Sequence, residues 1–372
     1  MFFGNWIRWH LLETNATGSL VSGMRQLPGH WSVQAGMDLP WISGNRPCFS
    51  FSNALRAKEA AMVTLKREWS KPSSILFATE CPVNEKAFTF ALAQAKETGA
   101  KLMLLHVCNE EAKPPGWICP QNHAPKHVLE ALVERASKLG VPCHVEVRTG
   151  EAAEEILGFL HRRKVDRVLM GVHTPGPVGK LLVGSVAETL LRRADVPVTI
   201  VGPYLREATC LGCFTRTVLC SVSCHRSSQV VARFAADVAA RLGAHLVVQQ
   251  VIPQQECEET LAGRTLDEMK HNLAEMIPAK LHAGVKLQTM VTLGDPTDEL
   301  LYQGRVLRAN LIVMGAHNAT HFAALTNACA IYKVLAYAHC PVLTLSPVIL
   351  ADYGPVAEMI PPREINYLAG VV

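Results

Sequence analysis

Charge is scarce in this chain: 18% of its 372 residues are Asp, Glu, Lys or Arg, and the formal balance is +4. Without a dense Lys/Arg cluster, neither nucleic acid nor an acidic membrane surface is indicated as a partner. No apolar run approaches about 18 residues, so no membrane-spanning helix is expected. The opening MFFGNWIRWHLLETN sets its aromatics ahead of any basic cluster and lacks an apolar core ending in small residues, so it does not read as a signal peptide. A Ser-His-Asp order, an HExxH pair and a complete P-loop are also missing, which leaves no catalytic constellation and favours a protein that is not an enzyme.

Apolar residues are plentiful, at 49%, and a chain of 372 residues has room for two or three domains with sizeable cores. Twelve cysteines, several inside strand or helix patterns (Cys143, Cys220, Cys329), fit a reducing cytoplasm better than a disulfide framework. Cys210, Cys213, Cys220 and Cys224-His225 have spacing that a zinc site or redox pair would tolerate. Against that, Cys220 lies in a strand pattern and the first pair falls in an apparent linker, so small buried hydrophobes are the favoured reading.

Residues 1–72 have scattered Trp, Gly, Asn and Pro and no sustained period, and are expected to be a poorly ordered N-terminal extension. Met62 stands about a dozen residues before the first clear strand, so translation starting there is one reading, which the intact mass of the natively expressed protein tests. From Ser74 onward strand and helix alternate: strands are predicted over 75–79, 101–107, 144–148, 167–171 and 198–201, and helices over 84–98, 125–139, 151–164 and from Ser185. After a linker, 204–215, the order repeats, with strands over 217–222, 245–251, 286–292, 311–315 and 342–345 and helices over 227–242, 265–283, 296–308 and 329–338. The register is tight. Gly99-Ala100, Gly150-Glu151, Met170-Gly171 and Pro197-Val198 recur as Gly243-Ala244, Gly294-Asp295, Met314-Gly315 and Pro341-Val342, each 144 residues on. A repeat of that length is a duplicated domain. The pattern predicts an α/β protein of two tandem doubly wound parallel five-stranded sheets, over 73–203 and 216–347, with 348–372 as a tail.

The stretch from Met170 to Val201 carries the chemistry. A strand ends in a loop with Gly171, Gly176, Gly179 and Gly184. Ser185 is then read as an N-cap, with Glu188 three residues on as in a capping box. A glycine loop running into a helix start presents free N–H groups that suit a phosphate, although ordinary tight turns use glycine in the same way. His173 and His317 repeat but read as loop-positioning residues. Arg192 and Arg193 complement a helix C-terminus. Glu154, Glu155 and Arg162 to Lys164 read as a solvated face.

The order of elements, MGVH, LLHV and the block GSVAETLLRRADVPVTIV together resemble the universal stress protein family in its tandem form. Nucleotide-binding members carry Gly, two residues, Gly, nine residues, then Gly-Ser or Gly-Thr. This chain has Gly171, Thr174 at the second glycine, and Gly184-Ser185 after Pro175 to Val183. The family places an Asp at the end of the first strand, where this chain has Glu80, with Ala78 at the small or proline position before it and Val107 where the second strand borders the base. The resemblance implies a site for ATP or a related adenine nucleotide in the first half, formed by Ala78, Glu80, Val107, Met170, Gly171, Thr174, Gly184, Ser185 and Val186, with no metal beyond a nucleotide-bound Mg. The second half keeps Gly315, but Asn318 and Ala328-Cys329 replace the other motif positions and Ser223 or Cys224 replaces the acid, so it is expected to be a degenerate partner. The last strands, 198–201 and 342–345, are expected to pair the halves as a pseudo-dimer. The resemblance implies a cytoplasmic stress-response or regulatory protein. The alternative is an interaction module that binds no nucleotide, and a nucleotide hydrolase of the same broad fold is disfavoured for want of a base.

Overall fold

The computed structural model describes residues 69–80, 82–108, 125–172, 184–206, 216–223, 227–254, 265–282, 284–316 and 330–351. All of them lie in one structural unit, Leu55–Val372. The first half runs β1 (Ser74–Thr79), α1 (Glu85–Thr98), β2 (Lys101–Cys108), α2 (Pro125–Lys138), β3 (Cys143–Thr149), α3 (Ala152–Arg163), β4 (Arg167–Gly171), α4 (Ser185–Arg193) and β5 (Val198–Val201). The second runs β6 (Thr217–Val222), α5 (Ser228–Leu242), β7 (His245–Ile252), α6 (Leu266–Glu275), α7 (Ala279–His282), β8 (Lys286–Leu293), α8 (Pro296–Val306), β9 (Leu311–Gly315), α9 (Ala330–Tyr337) and β10 (Val342–Leu345), followed by α10 (Pro347–Ala351).

Each half is a five-stranded parallel sheet, and the two join into one ten-stranded sheet ordered β3-β2-β1-β4-β5-β10-β9-β6-β7-β8. The join is antiparallel, with Leu343 opposite Thr199, as expected for the last strands. Central strands β1 and β5 are almost wholly buried because helices cover both faces, so their sequences carry no alternation. Outer strands β3 and β8 alternate more, because part of each is left to solvent.

The 144-residue repeat is visible in backbone detail. Gly150 and Gly294 both sit at φ +144°, and a Cβ on either would come 3.2 Å from the Cγ of Glu155 or Glu299 respectively. Lys164 and Arg308 end their turns in the left-handed region, at φ 51° and 49°, a conformation that costs a non-glycine residue about 1 kcal/mol or more. Asp166 and Asn310 tie down the two first strands: Asp166 Oδ2 accepts from the N–H groups of Ser73 (2.9 Å) and Ser74 (3.0 Å), and Asn310 Oδ1 from that of Thr217 (2.9 Å).

One apolar cluster runs through both halves on a single face of the sheet, including Leu190 and Leu191 of α4 and Val334 and Leu335 of α9. Two hydroxyl groups find partners across the seam, although Thr199 Oγ1 of β5 is buried without one among the described residues. Thr344 Oγ1 donates to the Val198 carbonyl at 3.0 Å and Ser346 Oγ to that of Ala194. The connecting segment is also held, with the Arg206 N–H donating to His339 O at 3.1 Å and its guanidinium to Ala309 O at 3.2 Å.

At the start of β4, Arg167 is buried and donates to Gln94 Oε1 (3.0 Å) and to the Trp69 carbonyl (2.7 Å). Burial lowers its pKa to about 10, partly opposed by the neighbouring Asp166. Trp69 and Ser70, from the end of the segment read as an extension, are buried, and Arg241 of the second half donates to Ser70 Oγ at 2.8 Å.

Two local expectations change. The helix expected over 265–283 is two helices, because Pro278 has no N–H to continue the ladder and the chain turns at Met276 and Ile277 between them. Pro347 begins a short helix whose Ile349 and Leu350 are buried, with the Ile349 N–H donating to Ser346 Oγ at 3.3 Å.

Candidate functional site

In a doubly wound sheet the ligand crevice opens at the C-terminal strand ends where strand order reverses. In the first half that point lies between β1, which also pairs with β2, and β4, with Ala78 opposite Met170. Ala78, Val107, Met170 and Val186 all belong to the apolar cluster on the α3–α4 face. Ala78, Val107 and Met170 stand at or near the C-terminal ends of β1, β2 and β4, and Val186 in the first turn of α4. Glu80 follows directly after β1 and is exposed, as are Gly184 and Ser185 at the mouth of α4.

The cap of α4 differs from expectation. Gly184 is the N-cap, at φ −60° and ψ 157°, and Ser185 is the first helical residue; the Glu188 N–H donates to the Gly184 carbonyl at 3.0 Å. Glu188 does not close a capping box. It is buried and lies 3.5 Å from Arg192, one turn along. A glycine N-cap has no side chain of its own to satisfy the first N–H groups of the helix, and the positive end of a helix favours an anion. A Cβ at Gly184 would meet nothing within 4 Å among the described residues. Neither its backbone angles nor its described neighbours demand glycine there.

Gly171 is the opposite case. A Cβ on it would stand 2.5 Å from Asn84 Nδ2, a separation real structures do not tolerate. Asn84 caps α1 through Oδ1, which accepts from the Ala87 N–H at 3.1 Å, and its Nδ2 donates to the Val172 carbonyl at 3.3 Å. Asn84 is the residue that sequence reasoning missed as part of this rim. Its capping role was readable from residue type, but its contact with the end of β4 was not.

Thr174 lies outside the described residues, as do His173, His317, Asn318, Ala328, Cys329 and the cysteines Cys210, Cys213 and Cys224. Cys220 is buried in β6 and burial raises its pKa well above the ordinary thiol value. Among the described residues no group of His, Cys, Asp or Glu is arranged to hold a metal ion. In the second half, the Ser223 N–H donates to Ser228 Oγ at 3.0 Å, so this candidate for the acidic position is engaged by its own chain. Arg193 pairs with Glu154 and Arg163 with Glu146 (3.1 Å), so these charges form an ion-paired surface.

The sequence pattern of the universal stress protein family matches residues 73–202 and 215–346, and the chain belongs to that family. A universal stress protein of Methanocaldococcus jannaschii is 33% identical over 82 residues, covering 22% of this chain, which spans about half (48%) of that relative's length. One from Mycolicibacterium smegmatis is 27% identical over 124 residues, 33% of this chain and 92% of the relative. Among solved structures, a universal stress protein from Archaeoglobus fulgidus superposes with a TM-score of 0.59 at 18% identity, covering 75% of this chain and 97% of its own. No helix among the described residues is long and apolar enough to cross a membrane.

Proposed function

We propose that the first half binds an adenine nucleotide, ATP or a relative of it, at the C-terminal ends of β1 and β4, and that the second half completes the assembly without binding one. The observation that carries this reading is Gly184: a glycine that neither its angles nor its described neighbours require, opening a helix whose N-cap has no side chain of its own to bond the first N–H groups. Phosphates would lie against Gly184 and Ser185, and the ribose and base along Ala78, Met170 and Val107 with Glu80 accepting from a sugar hydroxyl. The described residues fit such a ligand. Among the described residues of this rim none is arranged to activate an attacking water, and we read the chain as a protein that acts through conformation and partners.

A second reading, an interaction module with no nucleotide, is favoured by Gly171, which the approach of Asn84 explains without any ligand. Equilibrium titration of the full chain with ATP, AMP and cyclic AMP separates the two. Saturable binding that is abolished by Gly184→Trp supports the nucleotide site. Absence of binding at millimolar nucleotide supports the module, and binding that survives the substitution removes the assigned pocket.

A further inference from the structure

The ten-stranded sheet ends in β3 on one side and β8 on the other, and the repeat makes the two edges directly comparable. An outer strand is a template for pairing unless charge or bulk protects it. β3 is protected. Glu146 and Arg148 on the strand pair with each other and with α3, Arg163 reaching Glu146 at 3.1 Å and Arg148 reaching Glu155 at 3.1 Å, while Arg148 and Arg163 both lie over the Phe159 ring. At the positions 144 residues on, Glu146 is replaced by Met290, Arg148 by Thr292, Arg162 by Val306, Arg163 by Leu307 and Gly158 by Tyr302. The segment Leu287 to Leu293 carries no charge. Beside it, Tyr302 and Val306, one turn apart on α8, are 59% and 57% exposed, and Leu293 is 48% exposed.

We infer that this edge is an interaction surface for a second copy of the chain, formed by antiparallel pairing of β8 with β8 and contact of α8 with α8. The chain already joins sheets in this manner at β5 and β10, where antiparallel pairing leaves α4 and α9 in one apolar cluster. A two-fold axis normal to the sheet and midway between the two copies of β8 keeps both copies of α8 on the same face, which brings Tyr302 and Val306 of one copy toward those of the other. Pairing centred on Met290 sets Leu287 against Leu293 and opposes no like charges. The same operation at β3 would bring two copies of the Glu146 and Arg148 group together. In the second half the guarding charges have been exchanged for uncharged side chains on the strand and apolar ones on the helix, while an acidic helix cap (Glu151, Asp295) and the half-buried glutamate after it (Glu155, Glu299) are kept.

Sedimentation of the full chain across the micromolar range tests this. The expected result is a reversible dimer, weakened at least tenfold by Val306→Arg and by Tyr302→Glu, and unchanged by Arg148→Glu on the other edge. Both weakening substitutions fall at exposed positions, so an unaltered melting temperature shows that folding is intact. As a second readout, backbone amides of Leu287 to Leu293 should gain protection from hydrogen exchange as concentration rises. A chain that remains monomeric throughout, a dimer indifferent to both α8 variants, or a dimer lost with Arg148→Glu overturns the inference.

Discussion

Asn84 occupies the space that a side chain at Gly171 would need, and from there it caps α1 and donates to the backbone at the end of β4. Gly171→Ala must therefore displace Asn84 and lose both bonds, at an expected cost of about 2 kcal/mol. Asn84→Gly, which removes the obstructing Cβ as well as the amide and leaves a tolerable N-cap, should cost well under that. In the Asn84→Gly background the alanine should be nearly free, so a double-mutant cycle by urea unfolding should give strong coupling. Additive costs would mean that the two residues do not meet.

Asp166 and Asn310 perform the same task with different charge. Asp166 Oδ2 accepts from two backbone N–H groups and from the hydroxyl of Ser73, at 2.6 Å. Asp166→Ala strands those donors beside a buried strand and should cost about 2 kcal/mol, whereas Asp166→Asn, the residue found in the second half, should cost less than about 1 kcal/mol. Equal losses from the two substitutions would show that the side-chain oxygen is not what holds β1.

The alternation of elements and the repeat were legible in the sequence because glycines in left-handed turns and prolines before strands recur at fixed spacing, and these residues report backbone angles directly. The pairing of β5 with β10 was legible through resemblance. The cap of α4 was not, because Gly184 and Ser185 are both acceptable N-cap residues and the sequence does not reveal which one takes extended angles. Nor was the contact between Asn84 and Gly171, which depends on a helix start and a strand end meeting in space. The break at Pro278 was available from proline's missing donor, but the apolar period running through 265–283 masked it. At the site, Ala78, Val107, Met170 and Val186 were placed by resemblance, and the common cluster they join follows from their side chains lying on one face of the sheet.

The seam between the halves is narrow in hydrogen bonds but broad in apolar contact, since residues from both halves share one cluster. The two halves should therefore unfold together in one thermal transition. Thr344→Pro removes a backbone donor from β10 and the side-chain bond to Val198 across the seam, and should split the melt into two. Two separated transitions in the unaltered chain would refute the shared core.

Acid should act on the guarded edge of the first half. Partial burial tends to raise the Glu146 pKa, but its hydrogen bonds with Arg148 and Arg163 outweigh that and hold it below the ordinary glutamate value. A carboxylate depressed in the folded state contributes stability that is fully present above its unfolded pKa, about 4.3, and is lost as pH falls through the folded value. Glu146→Gln should accordingly cost about 1 kcal/mol at pH 7 and progressively less below about pH 4, because the unaltered protein loses the same contribution there. Urea midpoints measured for both proteins at the two pH values should converge on acidification; a gap that stays constant would place the effect of Glu146 in packing and not in charge. The corresponding substitution at Met290, where the repeat carries no charge, should leave the acid dependence of the chain as it was.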